Sequence, residues 1–319
     1  MWFSPVALHL PDGFLLTWIS LVGWGLALFV IAASIRQTRA QLGERQIPLM
    51  GVLAAFIFAA QSINFPVAAG TSGHLLGGTL AAIVMGPWAA TLVMTSVIAV
   101  QGFLFQDGGL LVMGWNILNT GVITAFVGYG VYMLVRRLTG NSSRSRLVAG
   151  SVGAWLSVQM GAIATAFELA LSGTTPLRLG LPAMMSVHML IGLGEALITV
   201  GAIALLQNTR PEVLEAGETA PGRRGAGLVV VGLFVAITLA FFSPLASPNP
   251  DGLEYVAKRQ GFHGLSSNSI YEIMPHYTLP FVADAALTTV LAVALGTLIV
   301  FAFAWLVGRT STRREASGD

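Results

Sequence analysis

Apolar residues in this chain gather into blocks of about twenty, parted by short polar stretches, and a helix needs roughly that many to cross a bilayer core. Clear blocks occupy 15–35, 114–135, 147–171, 182–206, 227–242 and 283–307, with a shorter one at 49–63. The block at 74–105 is too long for one crossing and carries Gly86-Pro87 near its middle. The polar stretches hold four arginine groups: Arg36, Arg39 and Arg45; Arg136, Arg137, Arg144 and Arg146; Arg210, Arg223 and Arg224; Arg309, Arg313 and Arg314. The positive-inside rule assigns all four to the cytoplasmic side. Between the first group and the second the chain must then cross an even number of times. Blocks 49–63 and 114–135 are two crossings, so 74–105 supplies none or two. The Gly-Pro break makes it a helical hairpin, 74–85 then 87–105. At 1.5 Å per residue the first arm is only about 18 Å long. It must sit inside the protein or be met by a loop entering from outside.

The pattern thus predicts an all-α polytopic membrane protein of nine segments, N-terminus outside and C-terminus in the cytoplasm. Thirteen of the sixteen basic residues are then cytoplasmic, the exceptions being Arg178, Lys258 and Arg259. A polar stretch rich in Glu, Pro, Gly and Arg, residues 208–226, reads as a cytoplasmic linker. It divides 1–207, with seven segments, from 227–319, with two. No internal repeat is visible, so an inverted-repeat carrier has no support.

Composition removes the soluble classes. Of 319 residues, 55% are hydrophobic and only 9% charged, against about 25% charged in soluble domains. The mean hydropathy is +0.78. A soluble globule, a disordered chain and a coiled coil are all excluded. Membrane lipid is the surroundings, and the net charge of +2 suggests no nucleic acid, because the basic residues sit in loops. There is no cysteine, which excludes disulfides, thiolate metal sites and cysteine catalysis. Residues 1–16 contain no Lys or Arg, so the charged region of a secretory signal is missing and the first block is expected to stay in the mature chain.

Candidate chemistry is sparse. Neither G-x-x-x-x-G-K-[ST] nor a helix-opening G-x-G-x-x-G occurs, so ATP, if used, is hydrolysed by another chain. H-E-x-x-H is also absent. His9 lies just before the first block, and His74 closes the loop Gly70-Thr71-Ser72-Gly73 and opens the short arm. Such a pair at the mouth of a bundle suits a borderline transition metal; the plainer alternative is two interfacial histidines bonded to carbonyls. His188 and Glu195 share one helix face, with Glu168 on the preceding helix. They read as a second metal or proton site, or as a polar pair locking helices together. Asn116 and Asn119 can bond across helices or support a ligand from behind. Gly23-x-x-x-Ala27 and Gly73-x-x-x-Gly77 read as small-residue helix contacts. Gly70-Thr71-Ser72-Gly73 also matches the G-x-S-G of intramembrane serine proteases, which keeps that activity as a remote alternative.

These residues resemble the CbiM/NikM family, the substrate-specific membrane component of energy-coupling factor (ECF) transporters for cobalt and nickel. The resemblance is carried by Leu8-His9-Leu10-Pro11-Asp12-Gly13-Phe14-Leu15 and by Gly70-Thr71-Ser72-Gly73-His74-Leu75-Leu76-Gly77-Gly78. Met85-Gly86-Pro87-Trp88, Gln106-Asp107-Gly108-Gly109 and the stretch from His188 to Ala196 add to it. Pro250-Asp251-Gly252-Leu253-Glu254, between the last two blocks, resembles the PDGLE domain of the small CbiN/NikN accessory subunit, here fused.

The resemblance implies a seven-helix bundle of the ECF substrate-component type plus two further transmembrane helices. It implies import of Ni²⁺ or Co²⁺ across the inner cell membrane, with no enzymatic step in this chain. A transmembrane coupling (T) subunit and two cytoplasmic ABC ATPase subunits would be separate partners; a stand-alone metal carrier or channel is the alternative. It implies ligation by the amine of residue 8, the backbone nitrogen and ring of His9, and His74, with Asn116, Asn119, His188 and Glu195 as weaker supporting residues. Four nitrogens in a plane favour nickel. Leu8 supplies an amine only if the chain starts there. Translation from a TTG codon at position 8, read as Met, is the expected route, and cleavage between Ala7 and Leu8 is the rival. A third alternative keeps the extension and binds metal through His9, His74 and His188.

Overall fold

The computed structural model describes residues 9–41, 43, 46–214, 222–267 and 271–311. Leu8, Arg45, Arg313 and Arg314 lie outside the described residues, as does 215–221 of the linker. The chain folds as α1 (Thr17–Gln41), α2 (Ile47–Gln61), α3 (Gly78–Met85), α4 (Pro87–Phe105), α5 (Met113–Asn116), α6 (Thr124–Thr139), α7 (Ser143–Leu171), α8 (Leu177–Thr209), α9 (Gly222–Ala240), α10 (Gly252–Gln260) and α11 (Ala285–Thr310). A π-helical stretch, Ile117–Ile123, joins α5 to α6 in one continuous span. Among the described residues six helices are long and apolar enough to cross a membrane, with α2 a shorter apolar helix. Large apolar side chains such as Phe29, Leu197 and Phe234 project outward, as a hydrocarbon solvent allows.

The hairpin forms at Gly86, whose φ of +79° only glycine adopts without strain, and Pro87 opens α4 where its missing N–H costs nothing. The short arm differs from expectation. It begins at Gly78, four residues after His74, and His74 to Gly77 is non-helical. The reason is local. Gly77 is left-handed (φ +85°), and the Glu195 carboxylate accepts from the backbone nitrogens of Leu76 (2.6 Å) and Gly77 (2.9 Å). Gln61 Nε2 donates to the Leu76 carbonyl at 2.9 Å. Non-helical backbone beside a membrane persists only when its polar groups are satisfied by protein, and these two side chains do so. Gly73 and Gly77 therefore lie in a loop, packed on Ile191 and Ile57, and are not a helix–helix contact.

The two parts divided by the linker share one apolar core. α11 lies on α2, where Gly296 lets the rings of Phe58 and Phe105 come close. At one end of the bundle, Arg39 Nη2 donates to the Thr310 carbonyl at 3.4 Å, and Arg136, Arg146 and Leu214 surround one small cavity. At the other end lie His9, the 62–77 loop and the segments 243–267 and 271–284.

Candidate metal-binding site

The segment 9–12 is held in place by main-chain pairing. Asn116 accepts from the Leu10 nitrogen (3.0 Å) and donates to the Leu10 carbonyl (3.1 Å), as a neighbouring strand would. The same carbonyl takes the Gly109 nitrogen at 2.8 Å. Asp12 Oδ1 accepts from the nitrogens of Leu111 (2.9 Å) and Val112 (3.1 Å). Gly108, at φ +94°, passes so close that a Cβ there would lie 2.8 Å from His9 Cβ. His9 is thereby buried, and its Nδ1 donates to Asp107 Oδ1 at 3.1 Å. Its Nε2 is buried and has no hydrogen-bond partner among the described residues.

His74 comes to meet it, with 6.1 Å between the ring centroids. Nδ1 of His74 donates to the Leu75 carbonyl at 2.9 Å, which leaves Nε2 as the lone-pair nitrogen. Burial first, and then the neighbouring His9, lower the His74 imidazole to about 4, so it is neutral at physiological pH. A neutral ring is the form that binds a metal.

The two rings line a cavity of about 70 Å³ together with Asn116, Asn119, His188 and Asp251. His188 Nδ1 donates to the Met184 carbonyl of its own helix at 2.7 Å, and its ring abuts Gly252. Asn119 donates to Thr165 Oγ1 (3.2 Å) and Glu168 Oε2 (2.9 Å). His188, Glu195 and Glu168 therefore form no locking pair: Glu195 serves the His74 loop, Glu168 serves Asn119, and His188 bonds within α8. Among the described residues, no three His, Asp or Glu side chains come close enough to hold one ion. Leu8, the remaining residue singled out from the sequence, lies outside the described residues.

The C-terminal part covers the cavity. Ser72 donates its backbone nitrogen to the Pro250 carbonyl and its hydroxyl to the Asn249 carbonyl, each at 2.8 Å. The hydroxyl expected of a protease nucleophile is thus spent on a backbone contact. Ser247 N donates to the Asn64 carbonyl at 2.8 Å. Asp251 caps α10 by accepting from Glu254 N at 2.6 Å, and burial raises its carboxyl to about 7. Phe262 meets Phe14 edge-on at 5.1 Å.

Sequence reasoning missed two partners of this site. Asp107 was visible only as part of a Gly-rich motif. Tyr277 gave no signal at all, because it lies in an irregular loop 170 residues from its partner: its hydroxyl donates to Asp107 Oδ2 at 2.6 Å. His276 (φ 50°) and Tyr277 (φ 58°) are consecutive left-handed residues that are not glycine, a strain of order 1–3 kcal/mol each. Burial of the Tyr277 ring, stacked on Phe105 at 4.7 Å, offsets it.

The CbiM family profile, described as the cobalt uptake substrate-specific transmembrane region, matches residues 9–213, and the PDGLE domain profile matches 226–313. The chain is 35% identical, over 95% of its length and 98% of the relative's, to a putative fused nickel transport protein NikMN of Archaeoglobus fulgidus. It is 32% identical to the cobalt transport protein CbiM of Sorangium cellulosum, over 65% of this chain and 92% of that one. A crystal structure of a truncated transition metal transporter superposes with a TM-score of 0.57 at 31% identity, covering 63% of this chain and 99% of that one. The chain belongs to the CbiM family and carries a fused PDGLE domain, and is a metal-transport component of the membrane, not an enzyme.

Proposed function

We propose that this protein binds Ni²⁺ or Co²⁺ as transported substrate between His9 and His74 and delivers it across the inner cell membrane. The observation that carries this reading is the convergence of two buried histidines on one small polar cavity. Two imidazoles are too few to hold the ion, and no third His, Asp or Glu side chain joins them among the described residues. That favours main-chain donors: the amine of residue 8, free where the chain starts there, and the backbone nitrogen of His9. An amine, an amide nitrogen and an imidazole from consecutive residues close fused chelate rings, and His74 completes a square. In such a chelate the His9 ring binds through Nδ1. Metal binding then exchanges the bond to Asp107 for a bond to the ion and leaves the carboxylate alongside as a counter-charge.

Square nitrogen ligation suits nickel, and a full-length relative is a putative nickel transport protein. The histidine end faces outward and the arginine-rich end faces the cytoplasm. A T subunit and two ABC ATPases, all separate chains, drive the transport. The test is metal uptake by cells expressing His9→Ala or His74→Ala beside the three partners. Uptake is lost in both while membrane insertion is kept; uptake at the normal rate rejects the site. Uptake without any ATPase would favour a stand-alone carrier. Metal analysis of protein purified after growth with equal nickel and cobalt decides between the ions.

A further inference from the structure

We propose that Tyr277, contributed by the PDGLE domain, is a positioning residue of the metal-binding site, holding the Asp107 carboxylate beside the His9 ring. This rests on the reading of His9 and His74 as ligands.

One carboxylate bridges the two parts of the chain. Asp107 Oδ2 takes the Tyr277 hydroxyl at 2.6 Å and Oδ1 takes His9 Nδ1 at 3.1 Å. The network continues past the phenol. Gln101 Nε2 reaches the Tyr277 oxygen (3.3 Å) and Gln61 Oε1 (2.9 Å), and Gln61 Nε2 reaches the Leu76 carbonyl (2.9 Å). A buried chain of hydrogen bonds therefore leaves His9, passes through the PDGLE domain, and returns to the loop two residues beyond His74.

The surroundings fix the phenol as well as admit it. Its ring stacks on Phe105 and sits 6.1 Å from Phe58. The left-handed backbone at His276 and Tyr277 aims it there. A phenylalanine would fill the same space; only the hydroxyl serves Asp107. The role follows from charge. A dication in a small buried cavity is served by a nearby carboxylate, and donors on both its oxygens fix that carboxylate in place. Once His9 Nδ1 turns to the ion, the carboxylate stands alongside as its counter-charge, and the Tyr277 hydroxyl on Oδ2 holds it there; outer groups held in this way act on metal affinity.

The experiment uses the full chain in detergent with nickel chloride as the probe, read by titration calorimetry and by the nickel absorption band. Tyr277→Phe lowers nickel affinity about tenfold and shifts the band at saturation, with little change in melting temperature. In an Asp107→Asn background Tyr277→Phe adds no further loss. Wild-type affinity and band in Tyr277→Phe, or the same loss with and without Asp107, overturns the proposal. Should Tyr277→Phe not fold, 3-fluorotyrosine at position 277 makes the phenol a stronger donor without changing its shape; an unmoved band and affinity then overturns it. His9→Ala separates the two readings. If it binds nickel normally the ligand assignment fails. If it abolishes binding while Tyr277→Phe is silent, this proposal alone fails.

Discussion

Asn116 bonds both peptide groups of Leu10, accepting at 3.0 Å and donating at 3.1 Å, and so fixes the residue next to His9 as a strand neighbour would. Asn116→Leu is expected to release the segment and reduce nickel affinity by at least about tenfold. Asn116→Asp, which can still accept but not donate, should fall between. Calorimetry on the purified chain checks the order; three equal affinities would contradict it.

Gly108 offers a steric test of the same segment. Its φ of +94° disfavours a side chain, and an added Cβ would press on His9 Cβ at 2.8 Å and Asn116 Nδ2 at 2.9 Å. Gly108→Ala should weaken nickel binding more than it lowers the melting temperature. Gly130, with open space around its Cα, is the control and should tolerate alanine with binding intact.

The cover over the cavity can be locked. The chain has no cysteine of its own, so Ser72→Cys with Asn249→Cys places a single candidate disulfide across the contact between the His74 loop and the PDGLE segment. Oxidised protein is expected neither to load nor to release nickel, and a reductant restores both. Free exchange in the oxidised form would show that the ion travels another way.

Asp251 makes the closed cover sensitive to pH. Burial raises its carboxyl from 3.8 to about 7, so the folded state favours the protonated form. The stability this contributes is complete below about 4 and is lost as the pH rises through about 7. Hydrogen exchange of the α10 amides, corrected for the intrinsic rate, should quicken across that window. Asp251→Asn should flatten the dependence.

The donor set at residue 8 is checked by magnetism and mass. A square of four nitrogens makes nickel diamagnetic; three imidazoles from His9, His74 and His188 would leave it paramagnetic. Intact-mass measurement on the nickel-loaded, natively expressed chain should find the free amine on residue 8. Diamagnetic nickel on a chain whose amine lies elsewhere removes that donor.

The arginine groups and the Gly86-Pro87 break made the span arrangement legible, because charge placement and helix breaking are local properties of sequence. His9 and His74 were legible as a pair because polar residues beside apolar blocks are few. Glu195 was read either as part of a second metal or proton site or as one of a polar pair between helices, and its carboxylate accepts from a loop. The demand came from backbone groups of Leu76 and Gly77, which no side-chain pattern reports. Tyr277 was invisible for the same kind of reason: its partner is fixed only when α11 folds back onto α2.

The depth of the cavity has an electrical consequence. Gly161 and His188 line it, and each sits about ten residues, or roughly 15 Å, inside the end of its helix. On the proposed outward-facing orientation, an ion that reaches them would have begun to descend the membrane potential before any partner acts. For each tenth of that potential crossed, a dication gains about 0.5 kcal/mol at 100 mV. With the interior negative, the proposed orientation would have the resting voltage draw substrate into the site, and a depolarised cell would need more external metal to fill it.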